Sequence, residues 1–305
     1  MRARVLLLIA VLLAAGCGDG GTLQSGESTT TRAATTAPQD DASTTAPEDD
    51  TTSTVPSIVA DSPTAARIEA AGTARVGTYV GERLPFADPV SEEGFEIELA
   101  REVLDRLLPG TALELVPLTA AERIDAVADG SVDILVRGTS HTIARAERVA
   151  FTSPYLLDGI AVVARAGTAA RLPDLQGRSV GVLAGTTLEA GIRDELAAAG
   201  VAADIRLLED PRADFAAGMV DAYATGWLQA AEHSFDEPGL FVIWVAPLDP
   251  IAMAVPRDDP AFRNALDDVL RSMVADGTWA SLASSWLPGP LPWTVDEMLA
   301  FGPAR

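Results

Sequence analysis

Apolar positions follow two different spacings from about residue 74 onward. Short apolar and β-branched runs such as Arg75–Tyr79 are typical of strands. Between such runs lie segments such as Gly94–Leu108, where Phe95, Leu99 and Val103 recur every four residues and would share one helix face. Because strands and helices alternate up to residue 286, the pattern predicts an α/β fold with mostly parallel strands.

Polar residues predict where several helices begin. Thr119 and Glu122 have the spacing of a capping box, and Thr142 precedes a short helix. Asp210 and Asp259 each precede a proline, as an N-cap precedes proline at the first helical position. Further strands are predicted at Leu113–Val116, Val132–Val136, Phe151–Tyr155, Gly159–Ala164, Val180–Leu183, Ile205–Leu208, Val220–Ala224, Phe241–Val245 and Ile251–Val255. The alternation restarts after residue 179, which predicts a second lobe and a ligand bound where strands end and helices begin.

The first 17 residues predict an export signal. Arg2 and Arg4 precede the unbroken apolar run Val5–Leu13, and small residues then lead to Cys17. A basic start, a short apolar run and small residues describe a secretory signal that is too short to span a bilayer. The small residues resemble a bacterial lipobox, although Ala14 stands where leucine is commoner, so Cys17 is predicted to carry lipid. The alternative is an ordinary signal peptide with an incidental cysteine.

Residues 18–60 change composition to threonine, serine, proline, alanine and acidic residues. The segment has almost no large apolar side chains, so burial cannot offset the entropy of ordering it. We therefore expect a disordered tether that holds the folded part away from the membrane.

Composition excludes several classes of function. The 305 residues carry a formal net charge of -22, which phosphate backbones would repel, so nucleic acid is not an expected partner. Cys17 is the only cysteine, and His141 and His233 are the only histidines. These residues cannot form an internal disulfide or a His/Cys metal site, so we expect no metal and no cofactor.

Six segments in order resemble one family. They read GFEIELAREVLDRL from Gly94, LTAAERIDAVADGSVDI from Leu118, VDILVRGTSHTIARAERVAFTSPYLLDG from Val132, LPDLQGRSVGVLAGTTLEA from Leu172, FAAGMVDAYATG from Phe215 and DDPAFRNALDDVLRSMVADGTWASLASSW from Asp258. The chain is therefore similar to bacterial extracellular solute-binding proteins of family 3, the polar amino-acid receptors of ABC importers. Each motif is weak alone, but the shared order is specific.

The resemblance implies a two-lobed, type II periplasmic-binding-protein flytrap with two crossover strands. Lobe one would combine residues 65–157 and 250–287, lobe two would be 166–244, and 288–305 would be a C-terminal extension. The implied function is capture of a small polar solute with a carboxylate, an amino acid or an analogue, by an exported, lipid-anchored monomer. ABC permease subunits would be its partners, and it would not be an enzyme. The alternatives are a dehydratase or lyase with an acid in the cleft, or a sensor for a separate membrane protein.

Arg145 is the first predicted ligand residue. A guanidinium presents a two-pronged fork that matches a carboxylate, and free N–H groups at the helix start add positive potential. The alternative is a surface arginine paired with Glu147 or Glu122. The resemblance also implies contacts from Gly138 and Ser140.

The second lobe is expected to contribute hydroxyls at the turn between a strand and a helix. Backbone N–H groups and the hydroxyls of Thr186 and Thr187 would face the ligand there, with Thr187 as the main contact implied by the resemblance. The alternative role of the turn is an ordinary N-cap.

Gly226 is the main departure from the family pattern. Many amino-acid receptors place at this position an aspartate that pairs with the ligand ammonium. We expect either another acid, Glu82 or Glu189, to replace it, or a ligand without an ordinary ammonium. Tyr79 and Phe86 complete the predicted ligand-binding set, on a first loop about one residue longer than is common.

Overall fold

The computed structural model describes residues 60–289, 291 and 293–302. The predicted signal peptide, Cys17 and nearly all of the predicted tether lie outside these residues. The helices are α1 (Pro63–Ala71), α2 (Phe95–Leu107), α3 (Arg123–Ala128), α4 (Ile143–Ala146), α5 (Leu188–Ala198), α6 (Pro211–Ala216), α7 (Trp227–Asp236), α8 (Pro260–Ala275), α9 (Thr278–Trp286) and α10 (Val295–Ala300). The strands are β1 (Thr73–Tyr79), β2 (Ala112–Leu118), β3 (Ile134–Leu135), β4 (Ala150–Arg165), β5 (Ser179–Leu183), β6 (Asp204–Leu208), β7 (Ala222–Gly226) and β8 (Leu240–Val255).

The eight strands form one sheet in the order β2-β1-β3-β8-β4-β7-β5-β6. Both ends are parallel, because β1 pairs with β2 and β3, and β5 pairs with β6 and β7, each through helical crossovers. The centre is antiparallel, where β4 pairs with β7 and with β8. The predicted parallel character therefore holds for the two ends of the sheet.

The central strands differ from the prediction of four short strands. β4 and β8 are each 16 residues long and pair with each other at the centre of the sheet. Gly159 and Pro250 lie inside these long strands, and the register shifts at several points along the pair. Short apolar runs interrupted by glycine or proline predict strand ends, whereas here Gly159 falls at a register shift and Pro250 pairs with Leu157 without one.

Helix starts agree with the predicted caps. Asp210 accepts a hydrogen bond from the Ala213 amide, and Asp259 accepts one from Phe262, with proline at the first helical position in both cases. Thr142 caps α4 by accepting a hydrogen bond from the Arg145 amide at 3.2 Å. This last cap fixes the backbone of Arg145.

Separate hydrophobic clusters fill the two ends of the sheet. A large cluster packs α2, α8 and α9 against β1 and the first part of β4. Another packs α5 against β5, β7 and the last part of β4. The described tail joins the large cluster, since Met298 of α10 is buried and the Trp293 indole donates to the Leu157 carbonyl at 3.0 Å. No helix in the described ranges is long and apolar enough to cross a membrane.

Candidate functional site

Hydroxyls from the two ends of the sheet meet in the cleft between them. Ser140 lies before α4, and Thr187 immediately precedes α5. Their Oγ and Oγ1 atoms are 3.1 Å apart. The Thr187 hydroxyl also donates to an Asp249 oxygen at 3.4 Å, and Asp249 belongs to the long strand β8. We call Ser140, Arg145, Thr187 and Asp249 the cleft cluster.

Arg145 joins this cluster through the backbone of Ser140. Its Nη1 donates to the Ser140 carbonyl at 2.9 Å, and the residue is half-buried. Burial lowers the pKa of Arg145, while the negative charge of Asp249 opposes that change. Glu122 instead hydrogen bonds to Thr119, in the predicted capping box. The arginine therefore faces Asp249, and its fork is held where a carboxylate could bind.

Gly138 lies against a buried acid that sequence reasoning did not single out. The Gly138 amide donates to Glu96 Oε1 at 2.7 Å, and the Tyr155 hydroxyl donates to the same oxygen. Glu96 is fully buried, and this burial raises its pKa to about 7. Gly138 has φ +47°, and a Cβ there would lie 2.2 Å from the Tyr79 hydroxyl. Tyr79 therefore fills the space beside Gly138.

Gly226 leaves room for a carboxylate from another strand. A Cβ on Gly226 would lie 2.2 Å from Oδ2 of Asp158, a residue of β4. Oδ1 of Asp158 accepts the Gly159 amide at 2.9 Å and the Leu228 amide at 3.1 Å. It thus caps α7, whose own N-cap is Gly226 and supplies no side chain. Burial raises the pKa of Asp158 to about 6, against the effect of these N–H groups.

Two further buried arginines lie near Arg145. Arg123 is 2% exposed and Arg137 is 7% exposed. Arg123 donates to the Ala120 carbonyl, whereas Arg137 lies over the Tyr79 ring, 4.7 Å from its centroid. Among the described residues, the Nε atoms of both have no hydrogen-bond partner. We call Arg123, Arg137 and Arg145 the arginine group.

Other predicted residues lie away from these contacts. The Thr186 hydroxyl donates to the Leu183 carbonyl at 2.7 Å, within its own turn. Phe86 is 5% exposed and belongs to the large hydrophobic cluster, and Glu82 is exposed. Glu189 pairs with Arg193 one helical turn away, at 3.2 Å. Neither Glu82 nor Glu189 stands beside Gly226, where Asp158 is found instead.

A recess of about 290 Å³ opens beside the arginine group. Its lining comprises Ala120, Ala121, Arg123, Ile124, Asp125, Ala144, Arg145, Arg148 and Gly185. Gly185 comes from the turn before α5, so both ends of the sheet contribute to the recess. Within the described ranges, no group of three or more His, Cys, Asp or Glu side chains could hold a metal ion.

Sequence reasoning missed Glu96, Asp158, Asp249, Arg123 and Arg137. All of them except Asp249 lie inside the six segments that resemble the family, but none was singled out there as a functional residue. The sequence does carry one signal for two of these residues, a charged side chain within or directly after an apolar run. Asp158 interrupts the run from Leu156 to Ala164, and Arg137 follows a buried strand. Which of these side chains face the cleft depends on strand pairing.

The sequence profile described as bacterial extracellular solute-binding proteins, family 3, matches residues 80–289. The ABC transporter arginine-binding protein 1 of Escherichia coli is 26% identical over 207 residues, which cover 64% of this chain and 82% of that protein.

Solved structures show the same fold. An ancestral arginine-binding protein bound to arginine matches with a TM-score of 0.63 and 28% identity, over 70% of this chain and 98% of that one. An ancestral amino-acid-binding protein, a precursor of cyclohexadienyl dehydratase, matches with a TM-score of 0.65 and 28% identity, over 72% and 98%. These matches confirm the predicted type II periplasmic-binding-protein fold.

Proposed function

This chain belongs to the bacterial extracellular solute-binding proteins of family 3, and we propose that it captures an amino acid or close analogue in its cleft for an ABC importer. The importer is supported by the name of the Escherichia coli relative. The amino-acid ligand is supported by the same relative and by both solved structures.

The observation that carries the proposal is a cation and carboxylates placed in one cleft. A free amino acid has a carboxylate and an ammonium a few bonds apart. Arg145 offers the fork for the carboxylate, and it contacts Ser140, which in turn meets Thr187. Asp158 offers a buried carboxylate at the position of the missing side chain of Gly226. Asp158 thus takes the ammonium in this proposal, in place of Glu82 or Glu189.

Capture proceeds by closure of two lobes about β4 and β8. Residues 65–157 and 250–287 form lobe one, residues 166–244 form lobe two, and 288–305 are a C-terminal extension. The ligand binds Arg145 and the backbone at Gly138 first, and Thr187 then closes over it from the start of α5. Ligand drives this motion only through its higher affinity for the closed state. The contact between Ser140 and Thr187 is the contact expected of a closed cleft.

Export and anchoring complete the proposal. The signal peptide directs the chain out of the cytoplasm, Cys17 carries lipid at the new N-terminus, and residues 18–60 tether the binding domain to the outer face of the membrane. Mass spectrometry of the mature protein tests this directly. A diacylated Cys17 supports the anchor, whereas an intact N-terminus or cleavage away from residue 17 contradicts it.

A cleft enzyme is the rival function: Asp158, whose pKa burial raises to about 6, is the acid it would use, whereas the three glutamates argue against it. A general acid must reach the substrate. Glu189 is paired with Arg193, and Glu82 is exposed on its loop. Glu96 has the pKa of about 7 that an acid needs, but it is fully buried behind Gly138.

A thermal-shift screen of the full-length chain with amino acids, organic acids and small amines tests the function. A ligand at about a hundred times its Kd stabilises the fold by roughly 2.7 kcal/mol. Recovery of the hit unchanged after incubation supports a binder. A chemically altered hit identifies an enzyme, and a screen without any stabilising amino acid contradicts the proposal.

A further inference from the structure

The arginine group places more positive charge beside the cleft than one ligand carboxylate uses. Arg123 and Arg145 both line the recess, and Arg137 stands close enough to influence each of them. Such a concentration of buried guanidinium groups is unfavourable without anions between them.

The protein itself compensates only part of this charge. Asp249 faces Arg145, and Glu96 faces Arg137. The neighbouring charges with the largest effect on the pKa of Arg123 are those of Arg145 and Arg137, and both are positive. Burial and then these two charges lower its pKa to about 9. Arg123 remains protonated at neutral pH, and Asp125, the carboxylate that lines the same recess, is paired with Arg148 at 2.6 Å.

Hydrogen bonding gives a second, independent sign that a partner is missing. Arg123 is 2% exposed and Arg137 is 7% exposed, so water reaches little of either side chain. Their Nε atoms are nevertheless without a hydrogen-bond partner among the described residues. Buried N–H groups of this kind are normally paired, and each lost partner is costly.

A purely structural role accounts for one contact of Arg123. Its Nη1 donates to the Ala120 carbonyl, which fixes the turn before α3. Glutamine could make such a contact without a net charge, so the contact alone does not require arginine. The position of Arg123 on the recess, beside Arg145, is what a second anionic group would use.

We propose that the ligand carries a second negative group, as an acidic amino acid does, and that Arg123, with Arg137 behind it, binds that group beside Arg145. This inference rests on the proposed function, because Arg145 and Asp158 hold the carboxylate and ammonium of the same molecule. The recess of about 290 Å³ is lined by Arg123 and Arg145 and not by Asp158, so in this proposal it holds the second negative group beside the ligand carboxylate.

The test is calorimetric titration of the full-length chain with L-glutamate, L-aspartate, L-glutamine, L-asparagine, L-arginine and glutarate. We expect one of the two acidic amino acids to bind at least tenfold more tightly than its amide and than L-arginine. Glutarate has both carboxylates but no ammonium, so we expect it to bind more weakly than L-glutamate.

Arg123→Gln separates recognition from folding. We expect it to reduce affinity for the acidic amino acid at least tenfold while affinity for the amide changes less than threefold. Arg206→Gln is the matched control, because Arg206 is an exposed arginine paired with Asp204 in the other half of the sheet. If Arg123→Gln does not fold, the wild-type comparison between acid and amide decides the matter.

The outcomes distinguish the two proposals. An amide or L-arginine that binds as tightly as the acids overturns the second anion site and leaves amino-acid capture intact. Equal losses for acid and amide in a folded Arg123→Gln variant also overturn it. Binding of glutarate alone supports the second anion site and contradicts amino-acid capture. No binding by any of the six compounds overturns the second anion site, and the thermal-shift screen then decides amino-acid capture.

Discussion

The two halves of the sheet bring different chemistry to the cleft. The half around β1 and β3 supplies the arginine group and the buried Glu96. The half around β5 and β7 supplies small or hydroxyl-bearing positions, chiefly Gly185, Thr187 and Gly226. The arginine side chains therefore lie on one wall of the cleft, whereas the small residues of the opposite wall allow it to approach a ligand closely.

This difference suggests that the two walls contribute to ligand binding at different stages. A wall with fixed charges can hold a ligand before the cleft closes, because charged hydrogen bonds are strong and directional. The wall that carries hydroxyls and glycines can contact a ligand only when the cleft is closed. The 3.1 Å distance between Ser140 Oγ and Thr187 Oγ1 is an example of such a close contact. Substitutions in the charged wall should thus change affinity and pH response most.

Removal of the Arg145 charge should have the largest effect. Arg145→Gln leaves the ligand carboxylate without its fork, and truncating such a pair costs about 4 kcal/mol, close to a thousandfold in Kd. Calorimetry with the best amino acid from the screen measures the loss. The control variant Arg206→Gln should bind the ligand like the wild type. A folded Arg145→Gln variant that also binds like the wild type would contradict the proposal that the charged wall holds the ligand.

Glu96 should make stability depend on pH in the first half. Its native pKa of about 7 lies above the ordinary 4.5, so the native state binds more protons than the unfolded state between these values. The free energy of unfolding then falls as pH rises through that window, and the shift corresponds to about 3 kcal/mol. Glu96→Gln keeps an Oε1 acceptor for Gly138 and should remove this fall, as denaturant midpoints at pH 5 and pH 8 would show.

His233 provides the contrast from the second half. Its ring accepts or donates a hydrogen bond with the Tyr223 hydroxyl at 2.8 Å, and burial lowers its pKa to about 4 from 6.5. Here the unfolded state binds more protons between those values, so stability rises with pH. His233→Gln should remove a rise where Glu96→Gln removes a fall. If the pH dependence of stability changed in the same direction in both variants, the proposed difference between the two halves would be contradicted.

Asp158 tests whether the ammonium partner has moved to another strand. Asp158→Gly should weaken amino-acid binding by about 2 kcal/mol, roughly thirtyfold, because the ammonium loses a buried counter-charge. Adding Gly226→Asp should restore much of that affinity, since the new side chain enters the vacated space and can cap α7. A double variant as weak as Asp158→Gly would place the ammonium site elsewhere.

The case of Asp158 shows what the sequence could and could not predict. The apolar spacing predicted the α/β fold, the cap residues predicted several helix starts, and the family resemblance implied Arg145 as a ligand residue. The resemblance also identified Gly226 as lacking an expected acid. The replacement depends on β4 and β7 pairing antiparallel with Ile160 opposite Gly226, which brings Asp158 alongside. Nothing in the local pattern fixes that register, so Glu82 and Glu189 were the available candidates.

Buried cations posed a similar problem. Arg123 and Arg137 lie in segments whose apolar neighbours define a helix and a strand, and a charged residue there is usually at the surface. Only packing shows that Tyr79 covers Arg137 and that Arg123 turns toward Ala120. Fold therefore follows from periodicity, while the electrostatics of the site follow from contacts distant in sequence.

Thr187 should give the smallest effect, and it probes the uncharged wall. Thr187→Val keeps the shape of the side chain but removes the hydroxyl that meets Ser140 and Asp249. A single hydrogen bond contributes about 1 kcal/mol, so Kd should rise roughly fivefold. Thr187→Ser keeps the hydroxyl and is the matched control. Because the loss acts on closure, it should appear mainly as faster ligand dissociation in stopped-flow measurements. If Thr187→Val weakened ligand binding as much as Arg145→Gln, both walls would contribute equally to affinity. That result would contradict the proposed difference between the two walls.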